Sequence, residues 1–396
     1  MTELQRVVLV VAMIASAVDL LGVLAVLRLL RKKTRRAKGP APLVSILKPL
    51  CGCDDQLADN LRSFFRQDYP HYEVLFGVAS PEDAALRTVE QVIREFPGFP
   101  AKVVLTDPHA ATNPKVAQLL GLERHAAGKI LVISDANVRA PNDYLSDLVR
   151  VLQRKNTGIA TNLFYARNAK TVGAALDQLC LLRGVLPYVA ISALFGQPLV
   201  IGKSMALWRA TLQRIGGFHA FGDYLAEDYC MAEATSSLGR KIRLARVVLE
   251  TPNAYGTFQS SIARHTRWGI MRRVIAPGAF FSEFATYTFM LWGLVGVLSA
   301  RWAGLWMAAL LEAALVASVS IAVRRRAGRG FLDRNESASP IDRWQTYASL
   351  VVATALRPFV AVTIWCTAAL RSSVTWRGNV RRVMRKSLLV PVRQLA

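Results

Sequence analysis

The chain has 396 residues, 53% of them hydrophobic, and carries 50 Lys and Arg against 27 Asp and Glu, a formal net charge of +23. So apolar a composition, with a positive mean hydropathy, argues against a purely soluble enzyme and for membrane segments. The basic excess fits either a nucleic-acid footprint or the inner flanks of membrane helices plus an anionic ligand, while five scattered cysteines exclude a paired disulfide framework.

Residues 7–27 form an apolar run whose single charge is Asp19. At about 1.5 Å per residue the run covers about 30 Å, enough to cross a bilayer. The basic cluster Arg31, Lys32, Lys33, Arg35, Arg36 and Lys38 follows it, the reverse of a signal peptide, so residues 1–30 read as an anchor. The following segment is then cytoplasmic, with 31–42 a basic linker. Asp19 is expected at a contact between helices.

After Gly39-Pro40-Ala41-Pro42 the pattern becomes one of alternating strands and helices. Strands are predicted at 43–47, 73–78, 102–105, 130–133, 158–161 and 199–201, with a helix over 56–66 capped by Asp54 or Asp55. Strand, helix and strand in that order make parallel pairs, so 43–282 reads as one α/β domain.

The run 130–133 is apolar throughout and stops at Ser134 and Asp135, which brings a carboxylate out at a strand's carboxyl end, where open α/β sheets bind ligands. Phosphate motifs are missing. Gly202-Lys203-Ser204 resembles the end of a P-loop, but Gly196 lies one residue too far back, and no Gly-x-Gly-x-x-Gly follows the first strand. A bound diphosphate would therefore need a divalent cation, Mg²⁺ or Mn²⁺, on Asp135, with Asn137 as a neutral neighbour. Asp83, in Pro81-Glu82-Asp83, is expected at the same sheet edge. Glu227-Asp228 precedes a helix and offers either a general base or acids that complement a helix dipole. Arg264-His265-Thr266-Arg267-Trp268 is a cationic and aromatic cluster, read as an anion site or as an interfacial belt.

Further on, residues 284–299 and 302–323 predict a helical hairpin that turns near Arg301 and returns to Arg324, Arg325, Arg326 and Arg329. Residues 347–370 are split by Arg357-Pro358 and are expected to form a re-entrant or hairpin element, which keeps the basic tail, 371–396 with Arg377, Arg381, Arg382, Arg385 and Lys386, cytoplasmic. The sequon Asn335-Glu336-Ser337 would then be idle. Basic residues thus gather at membrane boundaries, which suits anionic lipid better than nucleic acid.

Several blocks in order carry a resemblance. Val44 to Leu50, Asp54, Asn60-Leu61, Phe64-Phe65, Asp68-Tyr69-Pro70, Asn113-Pro114-Lys115, Asp135, Gly216-Gly217, Ala226 to Tyr229 and Arg264-x-x-Arg267-Trp268 together resemble the ceramide glucosyltransferase family. The resemblance implies a GT-A fold, Rossmann-like with a mostly parallel sheet, between N- and C-terminal transmembrane helices (the latter within 283–370). It also implies a UDP-sugar donor, a divalent metal and an inverting transfer of glucose to the primary hydroxyl of ceramide. By motif, Asp83 and Asp135 would contact the nucleotide and the metal-diphosphate, Asp228 would be the base, and Arg267 and Trp268 would end the basic-aromatic element. Lys48, Lys115 and Arg264 would be further contacts to the anionic donor. The catalytic domain would face the cytoplasm, at the inner membrane of a bacterium or the Golgi of a eukaryote.

Two departures stand out. The second motif is Asp135-Ala136-Asn137 where many sugar transferases have Asp-x-Asp, and Val185-Leu186-Pro187 lacks the histidine of the animal His-Pro step. The acceptor therefore stays open among ceramide, a hopanoid and diacylglycerol. A processive polysaccharide synthase and a non-catalytic adaptor are the other classes. Residues 176–195, interrupted by Arg183 and Pro187, are expected to line a groove at the bilayer surface without spanning it.

Overall fold

The computed structural model describes residues 2–31, 41–53, 55–166, 169–196, 199–283, 288–299, 303–331, 340–376 and 379–391. Most of the basic linker, Asp54, Arg301, the 335–337 sequon and Arg377 lie outside these residues.

Ten strands are present among the described residues: β1 (Val44–Pro49), β2 (Tyr72–Val78), β3 (Ala101–Leu105), β4 (Ile130–Ser134), β5 (Thr157–Tyr165), β6 (Ser204–Trp208), β7 (Lys241–Glu250), β8 (Ser373–Trp376), β9 (Asn379–Val383) and β10 (Leu389–Pro391). The first seven form one sheet in the order β3-β2-β1-β4-β6-β5-β7. Its pairs are parallel except those of β6, which runs antiparallel to both β4 and β5. The helices up to residue 275 are α1 (Glu3–Arg31), α2 (Leu57–Arg62), α3 (Ala85–Arg94), α4 (Pro114–His125), α5 (Tyr144–Leu152), α6 (Val172–Cys180), α7 (Leu186–Leu194), α8 (Arg209–Arg214), α9 (Glu227–Ser237) and α10 (Phe258–Ile275). They are followed by α11 (Pro277–Glu283), α12 (Thr288–Ser299), α13 (Ala303–Phe331) and α14 (Pro340–Leu370).

The central strands are buried on both faces, and alternate residues feed two cores. Val44, Ile46 and Val132 join a core that also takes Val23 and Val26 of α1 and Val319 of α13, so these apolar helices pack directly onto the sheet. Leu47, Leu131 and Ile133 pack on the other side with Val116, Leu119 and Leu122 of α4.

Several sequence expectations shift. No strand forms at 199–201: the short apolar run there leads into the Gly202 turn, and the buried strand β6 begins only at Ser204. Strand β7 was not expected: it is an edge strand, and Lys241, Arg243 and Arg246 break the apolar pattern. The helix expected over 56–66 is α2 followed by a 3₁₀ turn, Ser63–Phe65. Gln56 in the left-handed region precedes it without a side-chain cap, and Asp55 instead accepts a bond from Ala254 N (2.7 Å).

Among the described residues three stretches, Glu3–Leu30, Val172–Leu194 and Trp344–Leu370, are long and apolar enough to cross a membrane by length and composition. Val172–Leu194 is not interrupted at Arg183 and Pro187: α6 passes through a π turn, Leu181–Val185, directly into α7. That widened turn faces α1, where Arg183 Nη2 pairs with Asp19 Oδ2 at 2.8 Å, so Asp19 does sit at a helix contact. Close packing follows, since a Cβ at Gly22 would stand 2.7 Å from Pro187 Cβ. Likewise α14 is one unbroken helix with Pro358 inside it, not a hairpin split at Arg357-Pro358.

Candidate active site

The antiparallel course of β6 builds the site. Ser134 at the end of β4 pairs with Ser204 at the start of β6, so Gly202 and Lys203 are delivered beside Asp135. Asp135 N donates to Lys203 O (3.3 Å). Opposite them, Asn113 caps α4 by accepting bonds from Lys115 N and Val116 N, with Pro114 in the first turn where its missing N–H does no harm. This cap holds Lys115 against the sheet edge.

Lys115 Nζ is the hub. It lies 2.9 Å from Asp135 Oδ1 and 3.0 Å from Glu227 Oε1, and donates to Gly202 O at 2.9 Å. Burial pulls the Lys115 ammonium toward deprotonation, but Asp135, Glu227 and Asp228 outweigh it and hold the charge on. Burial likewise pushes the Asp135 carboxyl up, and Lys115, Lys203 and Lys48 overcome that and keep it below its ordinary value.

Asp228 behaves in the opposite way. Its Oδ2 accepts from Gly202 N and its Oδ1 from Tyr229 N, both at 2.8 Å. Burial, then the neighbouring Glu227 charge, push its carboxyl up to about 6 against the smaller pull of Lys115 and the two amides. Glu227 is committed elsewhere, to Lys115 and to Asn113 Nδ2 (3.2 Å). The raised proton affinity of Asp228 suits a base near neutral pH.

Lys48 is wholly buried, with Nζ 3.7 Å from the centre of the Phe64 ring and donating to Ser134 Oγ (3.2 Å) and Asp135 O (2.9 Å). It fastens β1 to the end of β4 from beneath. Asp83 Oδ1 accepts from Gly52 N (2.9 Å) and Ala85 N (2.8 Å), closing the loop after β1 onto the start of α3. Gly52 has φ of +69°, a conformation that a side chain resists.

Beyond Lys203 opens a pocket lined by Phe164, Leu181, Lys203, Arg264, His265 and Trp268. Lys203 Nζ donates to Asn137 Oδ1 (2.7 Å) and Thr251 Oγ1 (3.3 Å), so Asn137 is turned toward a lysine. Asp177, itself in the pocket's lining, gathers Arg264 Nη1 (2.6 Å), His265 Nε2 (2.8 Å), Ser261 Oγ (2.8 Å) and Asn253 Nδ2 (2.5 Å). Burial lowers the affinity of His265 for its proton, but Cys180 and Asp177 outweigh that and push it up to about 9. Trp268 meets His265 edge to face at 5.1 Å. Arg267 is half-buried and is not among the residues lining this pocket.

The structure thus brings Lys115, Asp135 and Asp228 into one cluster and Arg264 and Trp268 into an adjoining pocket, with Gly202-Lys203 common to both. The sequence model of glycosyl transferase family 21 matches residues 6–389. The chain belongs to glycosyl transferase family 21. Among curated relatives, ceramide glucosyltransferase 1 of Caenorhabditis elegans is 29% identical over 237 residues, 60% of this chain and 51% of the relative. Ceramide glucosyltransferase 3 of the same organism is 25% identical over 252 residues, 61% of this chain and 53% of the relative. The chain spans about half the length of the curated relatives it matches. A solved mannosyltransferase from Pyrobaculum calidifontis, in complex with GDP-Man and Mn²⁺, aligns over 93% of this chain and 98% of its own with a TM-score of 0.54 at 20% identity, a likeness of fold. The family 21 chain therefore has a GT-A-type α/β fold.

In this family 21 site the sequence reading left out Lys203, Glu227's link to Lys115, and the Asp177 network. For Lys203 a signal existed, because Gly202-Lys203 had the look of an anion loop.

Proposed function

We propose that the chain is a membrane-anchored hexosyltransferase that moves glucose from UDP-glucose onto the primary hydroxyl of ceramide with inversion at the anomeric carbon. The names of its curated relatives support the acceptor and sugar, and the nucleotide sugar and Mn²⁺ of the mannosyltransferase support the donor class and metal. The observation that carries the reading is Asp228, its carboxyl pushed up to about 6 and held by two backbone amides, one of them from Gly202, the residue before the lysine that lines the adjoining pocket.

In this reading Asp228 takes the proton from the ceramide hydroxyl as its oxygen attacks the anomeric carbon from the face opposite the departing UDP, so no covalent enzyme intermediate is needed. Lys203 and Arg264 face the diphosphate and stabilise the charge that develops on it. Trp268 and Leu181 supply the apolar wall that excludes water. Asp83 keeps the loop after β1 in place for the nucleotide. Arg267 reinforces the positive field behind Arg264. A divalent cation fits Asp135, which stays ionised and about 30% exposed while Asn137 is taken by Lys203. Among the described residues no cluster of three or more acidic, His or Cys side chains could hold a metal, so Asp135 and the donor phosphates would hold it together, and it would supply charge neutralisation at the leaving group. The proposal includes the membrane placement read from the sequence, with residues 1–30 as anchor and the catalytic unit facing the cytoplasm.

Asp228→Asn tests the reading. It is expected to keep UDP-glucose binding by calorimetry while hexose transfer falls by about 10³-fold, the usual range for loss of a general base. Unaltered turnover would refute the assignment.

A further inference from the structure

The last three strands stand outside the main sheet: β8 and β9 pair antiparallel, and β10 adds to β9. They return from α14 to the catalytic unit and meet it at the peptide that leads into Glu227 and Asp228. Ser387, wholly buried, accepts Leu225 N at its carbonyl (2.8 Å) and Ala226 N at its Oγ (3.1 Å). Leu389 N donates to Asp223 O (2.7 Å), and Tyr224 faces Leu388 in an antiparallel bridge. Cys230 Sγ, one turn into α9, reaches Lys386 O (3.9 Å).

The same strands hold the other half of the site. Val374, Val383 and Leu389 share one apolar cluster with Leu225 and with Ile270, two residues past Trp268 on α10. Where α10 carries Gly269 the fit to α14 is tight, since a Cβ there would stand 2.7 Å from Ala368 Cβ. At the turn itself, Lys386 and Ser387 have φ of 56° and 65°, left-handed values that non-glycine residues adopt only where surrounding contacts hold them.

From the far side, Asn113 fastens the base-bearing segment, its Nδ2 donating to Tyr224 O (2.7 Å) and its N to Gly222 O (2.8 Å). The segment 222–226 is therefore clamped between α4 and the C-terminal strands. We infer that residues 371–376 and 379–391 are a positioning part of the active site: they fix where Asp228 stands relative to the Arg264–Trp268 face. Among the described residues the Leu225 and Ala226 amides find their acceptors in the tail, so loosening it frees the peptide that aims the carboxylate while Lys115 and Asp135 keep their own bond. This inference rests on the transferase reading above.

Two variants of the full chain test it, in detergent with UDP-glucose and ceramide. A stop after Leu370 removes the strands altogether. Ser387→Gly tolerates the left-handed backbone and keeps the carbonyl acceptor, but deletes the Oγ that receives Ala226 N. The truncated chain is expected to lose about 100-fold in kcat with the KM for UDP-glucose within about threefold, the signature of a misplaced reacting group. Ser387→Gly is expected to lose about tenfold in kcat, and its acid limb should move to lower pH as water reaches Asp228. A fold-filling role alone would lower the melting temperature and leave both the pH limb and the kcat of surviving enzyme unchanged, and that result overturns the inference. If the truncated chain does not fold, shown by loss of UDP-glucose binding, the Ser387→Gly pH profile decides by itself. Absence of transfer by the intact chain overturns the functional reading and this one together, so the two failures are distinguished by the parent enzyme.

Discussion

Gly202 has no room for a side chain. A Cβ there would stand 2.6 Å from Asp228 Oδ2, 3.1 Å from its Cγ and 3.2 Å from its Cβ. Ordinary contact between heavy atoms begins at about 3.5 Å, so Gly202→Ala pushes the carboxylate back by roughly 1 Å. That movement breaks the 2.8 Å bond from Gly202 N, a bond to a charged acceptor worth about 1.5–3 kcal/mol. A reacting group misplaced by about 1 Å costs about 10²-fold in rate, equivalent to about 2.7 kcal/mol of barrier, so the two estimates agree. The expected result is a kcat about 100-fold lower with the KM for UDP-glucose within about threefold, because Asp135 and Lys115 keep their pair. Initial rates of UDP release in ceramide mixed micelles, with donor affinity measured separately, separate the two parameters. A kcat within about threefold of the parent would show that the position of Asp228 does not matter to the chemistry, and the assignment of the base would fall.

Other consequences follow from the same geometry. Asp228 must be ionised to accept a proton, so kcat should fall about tenfold per pH unit below about pH 6, and Glu227→Gln, which removes a charge that raises the carboxyl, should move that limb to lower pH. A limb unmoved by Glu227→Gln would assign it to another group. Chelation of divalent cations should abolish transfer and added Mn²⁺ or Mg²⁺ restore it, while Asp135→Asn should raise the metal concentration for half-maximal rate at least about tenfold; full activity in chelator would contradict the role of Asp135. Where α1 meets the π turn, Asp19→Asn should destabilise the detergent-solubilised protein by about 3 kcal/mol by removing the carboxylate charge from the Asp19–Arg183 pair, and Asp19→Leu with Arg183→Met should recover most of that loss. Equal melting temperatures for parent and Asp19→Asn would show the pair to be idle.

How much of this could be read from the chain alone varies with how local the signal is. Strands β1, β2 and β4 were legible because apolar runs ending in turn residues specify a buried strand without outside help, and Asp135 came with β4. The cap Asn113-Pro114-Lys115 was visible as a motif, though its purpose, aiming Lys115, depends on β6 running antiparallel. Strand β7 escaped because an edge strand tolerates lysine and arginine on its open side. The Asp177 network could not be read at all, since its partners come from 76 to 88 residues further along and no local pattern joins them. The C-terminal strands read in sequence as a basic tail because Arg381, Arg382, Arg385 and Lys386 mask the buried Val383, Ser387 and Leu389. In α14 the proline signal misled, since a helix already packed along its neighbours can carry Pro358.

The measurement closest to the central claim is structural analysis of the lipid product. Purified chain incubated with UDP-glucose, a divalent cation and ceramide should yield ceramide heavier by one hexose, with nuclear magnetic resonance showing the anomeric configuration inverted from that of the donor. A product with retained configuration, a polymer, or a sugar attached to some lipid other than ceramide would contradict the account.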